Sequence, residues 1–311
     1  MPGSVKAMRP AQGDQLAGLF TPSATRSILM TACRDVGIDG TGAVLLRHGE
    51  NAVYRLVHHP VVARIARHAD VPRREVAVAA WLASRDFPAV RMCDGPDQLL
   101  VIGGRVITWW DLIVESAEKP TFEDLASVLR RLHDLPPPTT ESLPAFDPMP
   151  RILGRLEAAG SKVAESDREV LACRHAKLRA AYESLSFELE PGPIHGDAHL
   201  GNLMRREDGT VVLIDLEAFA WGPREWDASV FAAAYAVFGW MGEAEYRRCV
   251  ERYGWDPLTW SGFPTMRAIR ELNMVTWLMQ RAGDSDDVDD EIARRLADLR
   301  NDELPRRWRQ L

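Results

Sequence analysis

Short β-rich runs occupy the first third of the chain. Val44–Arg47 and Val53–Val57 are joined by His48-Gly49-Glu50-Asn51, residue types that suit a hairpin turn. A third run, Val61–Ala66, follows Pro60, and proline at a strand start loses no ladder hydrogen bond. Pro72 then stands where a first helical turn accepts it, and Glu75–Ser84 continues with apolar Val76, Val78, Ala79, Ala80, Trp81 and Leu82. Leu99–Ile102 and Arg105–Trp110 read as two further strands.

From Thr121 the pattern turns helical. Thr121-Phe122-Glu123-Asp124 can cap a helix that runs to about His133, with Leu125, Val128, Leu129 and Leu132 on one face. Prolines at 136, 137, 138, 144, 148 and 150 make the next stretch a loop. Helices are predicted over 151–164 and 167–187, a strand-turn-strand unit over 193–215, and about four more helices to the end. Five strands with one helix, then a helical half with a small strand insertion, is an α+β layout in two lobes. The expected division is a small antiparallel-sheet lobe over residues 1–110, its first 25 or so unassigned, and a mostly helical lobe over 111–311. A length of 311 residues suits two lobes better than one core.

Composition narrows the partners. With 46% hydrophobic and 27% charged residues the chain reads as a soluble globular protein. A net charge of −7 argues against a nucleic-acid binder, which needs a basic face. The longest apolar run, Val230 to about Met241, falls short of a bilayer span, and the first 25 residues show no continuous apolar core. Cys33, Cys93, Cys173 and Cys249 form no close pair, as expected of reduced thiols. A cytoplasmic location follows as the expectation; nothing bears on the oligomeric state.

The chemistry concentrates in Ile194-His195-Gly196-Asp197-Ala198-His199-Leu200-Gly201-Asn202-Leu203, followed by Val211-Val212-Leu213-Ile214-Asp215-Leu216-Glu217. His195, Asp197 and Asn202 have the spacing of a loop that performs phosphoryl transfer, and Asp215 follows an apolar strand as the metal-binding acid does there. Phosphoryl transfer needs a nucleophile held in line and charge neutralised on the moving group. A carboxylate at Asp197 can accept the hydroxyl's hydrogen bond, and Asn202 and Asp215 offer hard oxygens to Mg2+.

These residues resemble the signature of the aminoglycoside phosphotransferase and choline kinase-like superfamily, over roughly residues 40–230 and most strongly at 194–217. The resemblance implies a protein-kinase-like fold, ATP or GTP as co-substrate with Mg2+ bound between the lobes, and a small-molecule acceptor with a hydroxyl or amine. It makes Asp197 the catalytic base and Asn202 and Asp215 the metal ligands. Glu217 is either a further metal partner or an ordinary strand-end acid. Gly222-Pro223-Arg224-Glu225-Trp226-Asp227 matches the element in which an Asp braces the catalytic loop, so Asp227 and His195 are expected as structural support.

The same resemblance places a phosphate loop at Gly49-Glu50-Asn51, which is also the hairpin turn, and a cation on the third strand. That cation is Arg64 where the family has Lys, with Glu75 as its partner on the following helix. Arg grips phosphate through a fork and differs from Lys in reach; the alternative is an exposed edge-strand ion pair. Thr108-Trp109-Trp110 falls at the hinge expected to face the purine, although both rings could be core. Glu271 and Asn273 are candidates to line the acceptor pocket, or else exposed helix-face residues.

Two other functions remain. A metal-dependent hydrolase could use His195, Asp197 and His199 as zinc ligands, but it leaves Asn202 and Asp215 idle, and His48, His58, His59, His68, His133 and His175 supply no second cluster. A nucleotide-binding pseudokinase tolerates Arg64 but has no need of Asp197, Asn202 and Asp215 together. The acidic run Asp284–Glu291 reads as a helix start, its charges set against the helix dipole.

Overall fold

The structure, a computed structural model, describes residues 20–49, 51–67, 70–138, 143–301 and 304–309. They divide into two compact units. One runs to Lys119 and takes in Met204–Glu217; the other comprises Pro120–Leu203 and the chain from Ala218.

The first unit opens on a helix outside the expected set, α1 (Pro22–Asp35). Its signals are local: Thr21 Oγ1 accepts from the Ala24 amide at 3.2 Å, and Pro22 occupies the first turn. Strands β1 (Val44–His48), β2 (Asn51–Arg55) and β3 (Val61–Ala66) follow, then α2 (Asp70–Ser84), β4 (Leu100–Ile102) and β5 (Arg105–Asp111). They form an antiparallel sheet in the order β1-β2-β3-β5-β4. β2 starts two residues earlier than the apolar run suggests, because the turn closes tightly, with Gly49 N–H donating to Asn51 O at 3.1 Å.

Side-chain alternation sorts this sheet into two faces. Ala52 and Tyr54 of β2, Ala63 and Ile65 of β3, and Ile107 and Trp109 of β5 form a core with Ile28, Leu29, Ala32 and Cys33 of α1. Buried Tyr54 Oη and Thr25 Oγ1 share a hydrogen bond of 2.8 Å, which fixes α1 to that face. Arg64, between Ala63 and Ile65, therefore projects from the opposite face. It stands on a central strand, paired with Val53 and Thr108.

The second unit contains α3 (Phe122–His133), α4 (Ile152–Ala159), α5 (Glu165–Glu183) and the short strand β6 (Gly192–Ile194). The box expected at α3 is present: Thr121 Oγ1 accepts from Asp124 N–H, and the Asp124 carboxylate accepts from Thr121 N–H at 2.7 Å. The described part of the proline-rich stretch is irregular; residues 139–142 of it lie outside the described set.

The chain next forms a hairpin of β7 (Leu203–Arg205) and β8 (Val211–Leu213). This hairpin joins the first unit: Leu213 N–H donates to Pro88 O at 2.9 Å and Val90 N–H to Leu213 O at 2.8 Å. Returning to the second unit, β9 (Ala220–Gly222) pairs with β6, and α6 (Arg224–Ala236), α7 (Glu243–Tyr253), α8 (Phe263–Met279) and α9 (Asp286–Asp298) complete it. In α9, Ser285 caps a first turn bearing Asp286, Asp287 and Asp289, and Arg295 lies in the last turn. Among the described residues no helix is long and apolar enough to cross a membrane.

Candidate active site

Strand β6 delivers the chain into a loop whose backbone is pinned at successive residues. The buried Asp227 carboxylate, on the first turn of α6, accepts from His195 N–H at 2.7 Å and from Gly196 N–H at 3.0 Å. His133 Nε2 lies 3.3 Å from the same carboxylate, and its Nδ1 lies 2.7 Å from Tyr253 Oη. Burial works to raise the Asp227 pKa, but the hydrogen bond and charge of His133, then His195, outweigh it and hold the carboxyl below its usual range. Trp226 Nε1 donates to Gly196 O at 2.8 Å.

Gly196 is required at its position. Its φ is +81°, and a Cβ there would stand 2.3 Å from Ala218 O. His195 is buried, and its Nδ1 accepts from Asp197 N–H at 3.3 Å. That ring serves the loop's own backbone, which counts against a zinc set of His195, Asp197 and His199. Asp197 itself is presented outward, its side chain 67% exposed, with His199 Nε2 at 3.9 Å. Asn202 is buried; its Nδ2 donates to Asp197 O at 2.9 Å, which leaves the amide oxygen as the end available to a cation.

The first unit carries a second cluster, at the end of β8. Asp215 has φ +60°, an uncommon conformation for a non-glycine residue and one that concentrates at functional positions. Arg64 faces three carboxyl groups there. Its Nη1 donates to Glu75 Oε1, its Nη2 donates to Glu217 Oε2 at 3.0 Å, and Asp215 Oδ1 lies 3.9 Å from Nη2. Asn51 Nδ2 reaches Glu217 Oε2 at 3.5 Å, and Arg74 Nη2 donates to Glu217 O at 2.8 Å.

Burial raises the Glu75 pKa most; Arg64 opposes this, and Glu217 and Asp215 add to it, leaving the carboxyl pushed up to about 7. Burial disfavours the Arg64 cation, but Glu75, Asp215 and Glu217 more than reverse that, and its pKa lies above the ordinary value. Asp215 is thus a partly exposed carboxylate, an oxygen of the hard kind that divalent ions accept, although among the described residues no group of three or more His, Cys, Asp or Glu is arranged to hold a metal by itself.

A family model described as "Phosphotransferase enzyme family" matches residues 43–272. The chain belongs to this family. Solved structures agree on its two-lobed, protein-kinase-like α+β fold at identities that carry the fold alone. An amicoumacin kinase in complex with AMP-PNP, Ca2+ and Ami matches with TM-score 0.69 and 13% identity, over 89% of this chain and 94% of that one. A choline/ethanolamine kinase family protein from Mesorhizobium loti matches with TM-score 0.59 and 16% identity, over 89% and 93%. A spectinomycin phosphotransferase with ADP and spectinomycin matches with TM-score 0.60 and 12% identity, over 89% and 94%. A search of curated protein sequences found no match.

The remaining residues singled out in this phosphotransferase divide by what they touch. Arg64 and Glu75 are not an exposed edge-strand pair: β3 is central, and their side chains are 14% and 2% exposed. Gly49 sits in the β1–β2 turn and Asn51 at the start of β2. Thr108, Trp109 and Trp110 lie inside β5 and are buried. Gln98 accepts from Trp109 N–H and donates to Trp109 O, both at 3.0 Å, and the Trp110 indole donates to Thr108 Oγ1 at 2.8 Å. Trp109 belongs to the core, and its backbone is committed before any ligand arrives.

Glu271 is fully buried on α8, with Arg306 Nε at 3.2 Å and Arg174 Nη2 at 3.6 Å. A carboxylate sealed under guanidinium groups is structural, so Glu271 leaves the acceptor candidates, and the exposed helix-face alternative does not describe it either. Asn273 is half-buried and donates to Pro148 O at 2.8 Å. Residues the sequence did not single out are His133 and Tyr253 behind Asp227, Arg74 on the Glu217 carbonyl, and Arg270 beneath Trp226. None stands in a contiguous motif.

Proposed function

We propose that this family member transfers the γ-phosphoryl group of ATP or GTP to a hydroxyl or amine of a small-molecule acceptor. The observation that carries the reading is the contrast within one loop: every backbone anchor around Asp197 is fixed, while its carboxylate is left exposed. A carboxylate held on a rigid support and open to a ligand is what aiming an acceptor requires. The acceptor O–H or N–H donates to Asp197, the heteroatom forms the new bond to phosphorus, and the bond to the β-phosphate oxygen breaks. The proton passes to Asp197 and the nucleoside diphosphate leaves.

Asn202 through its amide oxygen and Asp215 and Glu217 through their carboxylates are the proposed holders of Mg2+. When bound, that ion neutralises charge on the triphosphate. Arg64 and the turn at Gly49 and Asn51 are proposed to face the phosphates, with Glu75 orienting Arg64. Thr108, Trp109 and Trp110, buried in β5 with the Trp109 backbone already hydrogen-bonded, are not carried into the proposed nucleotide contacts. Amicoumacin, spectinomycin and choline or ethanolamine, named for the neighbours, define the first acceptors to try, and the cytoplasm is the proposed location.

The test is a nucleotide-coupled turnover screen over such acceptors, run beside Asp197→Ala. Turnover should fall by about 10²–10⁴-fold, with nucleotide affinity retained. Unchanged turnover in Asp197→Ala would overturn the mechanism.

A further inference from the structure

Arg270 projects from α8 towards the base of the catalytic loop. Its Nε donates to Ser229 Oγ at 2.8 Å, its Nη2 donates to Trp226 O, and its guanidinium carbon stands 4.4 Å from the centre of the Trp226 ring. That same ring donates from Nε1 to Gly196 O, the carbonyl immediately before Asp197. The connection from Arg270 to Asp197 thus consists of one stacked ring, one hydrogen bond and one peptide unit.

Arg270, itself partly buried, differs from the fully buried arginines of its unit. Arg295 is paired with Glu291 at 2.9 Å and Arg306 with Glu271 at 3.2 Å. Among the described residues no carboxylate lies within ion-pair distance of Arg270; its direct partners are a hydroxyl, a carbonyl and an indole face. Withdrawing a guanidinium from water with only neutral contacts is costly unless nearby charge compensates. Burial pushes its pKa down to about 10, and the negative charges of Asp227 and Asp197 oppose that fall. The group therefore remains a cation at neutral pH.

We propose that Arg270 is a positioning residue for Asp197, clamping the Trp226 indole that holds the Gly196 carbonyl and placing a compensating positive charge behind the catalytic loop. The role rests on the phosphotransferase reading of Asp197. A purely structural arginine would stabilise α6 against α8 without affecting the loop, and the two roles separate experimentally.

The experiment compares the full chain with its Arg270→Lys, Arg270→Met and Trp226→Phe variants and with the Arg270→Met/Trp226→Phe double variant. Four quantities are followed: hydrogen exchange of the Trp226 indole N–H, assigned by its loss in Trp226→Phe; kcat and nucleotide KM in the acceptor assay; and the thermal midpoint. In Arg270→Met the indole proton should exchange faster by about tenfold or more. Its kcat should fall by about tenfold or more, with nucleotide KM within about twofold of the parent.

Arg270→Lys restores the charge without the fork or the stacked plane, so part of kcat should return while indole exchange stays fast. The double variant should be no worse than the poorer single variant, because both changes break one connection. Unchanged indole exchange in Arg270→Met, or a kcat that falls only in step with the folded fraction, would sink the proposal. If the parent protein phosphorylates no acceptor but Arg270→Met still frees the indole, the clamp stands and the phosphotransferase reading is what has failed.

Discussion

At Asp227 one carboxylate meets the amides of His195 and Gly196 and the ring of His133, whereas at Arg64 one guanidinium meets the carboxyl groups of Glu75, Asp215 and Glu217. The first cluster is closed: the acid is fully buried, donors outnumber it, and its pKa is held down. The second is open, with more acid than base, a partly exposed Asp215 in a left-handed backbone conformation, and Glu75 pushed up to about 7. A closed cluster fixes a shape. An open one keeps unbalanced charge that a ligand can balance, which is why the proposed phosphate contacts and the carboxylates proposed for the metal fall on the first unit, and Asn202 and the proposed catalytic support on the second.

The contrast breaks most visibly if Asp227 is removed. Asp227→Ala leaves two loop amides and His133 buried without their acceptor and should cost about 3–5 kcal/mol, read as a lower denaturant midpoint and lost turnover. A cost under about 1 kcal/mol, the scale of an ordinary exposed pair, would mean that the cluster is not closed. Gly196→Ala tests the same loop through the backbone. A methyl at 2.3 Å from Ala218 O, at φ +81°, should cost about 2 kcal/mol and displace Asp197. Turnover should therefore fall further than the folded fraction, measured by calorimetry and initial rates on one preparation.

What the sequence disclosed follows how local each feature is. The strands of the first unit and the cap of α3 were readable because alternation and capping act within a few residues. The spacing from His195 to Asn202 was readable because that loop is contiguous, and Asp215 because an apolar run leads directly up to it. The Thr21-Pro22 start of α1 was equally local, and its weak place lay beyond: Ile28, Leu29, Ala32 and Cys33 make a narrow buried stripe among polar neighbours. The partner of Glu271, by contrast, arrives from Arg306, beyond the next helix, so burial of that acid left no trace in its own helix. Arg270 was hidden for the same reason; an arginine on a helix face looks identical whether it meets water or the back of Trp226. Arg64 sits between these extremes, its strand position legible and its triple engagement not.

Arg64→Lys probes the open cluster. An ammonium is a point charge and cannot place one N–H on Glu75 and another on Glu217 in the manner of a planar fork. Nucleotide affinity should weaken by about tenfold, while the denaturant midpoint moves less than in Asp227→Ala. If Lys binds nucleotide as tightly as Arg, the fork geometry is not what the site uses, and the family's usual residue would serve here as well.

The smallest expected effect carries the most information, because the two clusters must respond to pH with opposite sign. Asp227 has a lowered pKa in the folded chain, so its contribution is present above its unfolded value and is lost only as the pH falls through the folded one, in acid. Glu75 has a raised pKa. It binds its proton more tightly when folded, so its contribution is full below the ordinary value of 4.5 and disappears as the pH rises through about 7. Relative to the parent, Glu75→Gln should therefore gain stability between pH 5 and pH 8, on the order of 1 kcal/mol. Urea titrations of both proteins at the two pH values measure the difference. A constant difference would mean that Arg64 alone neutralises Glu75 and that the cluster carries no surplus acid for a cation to meet.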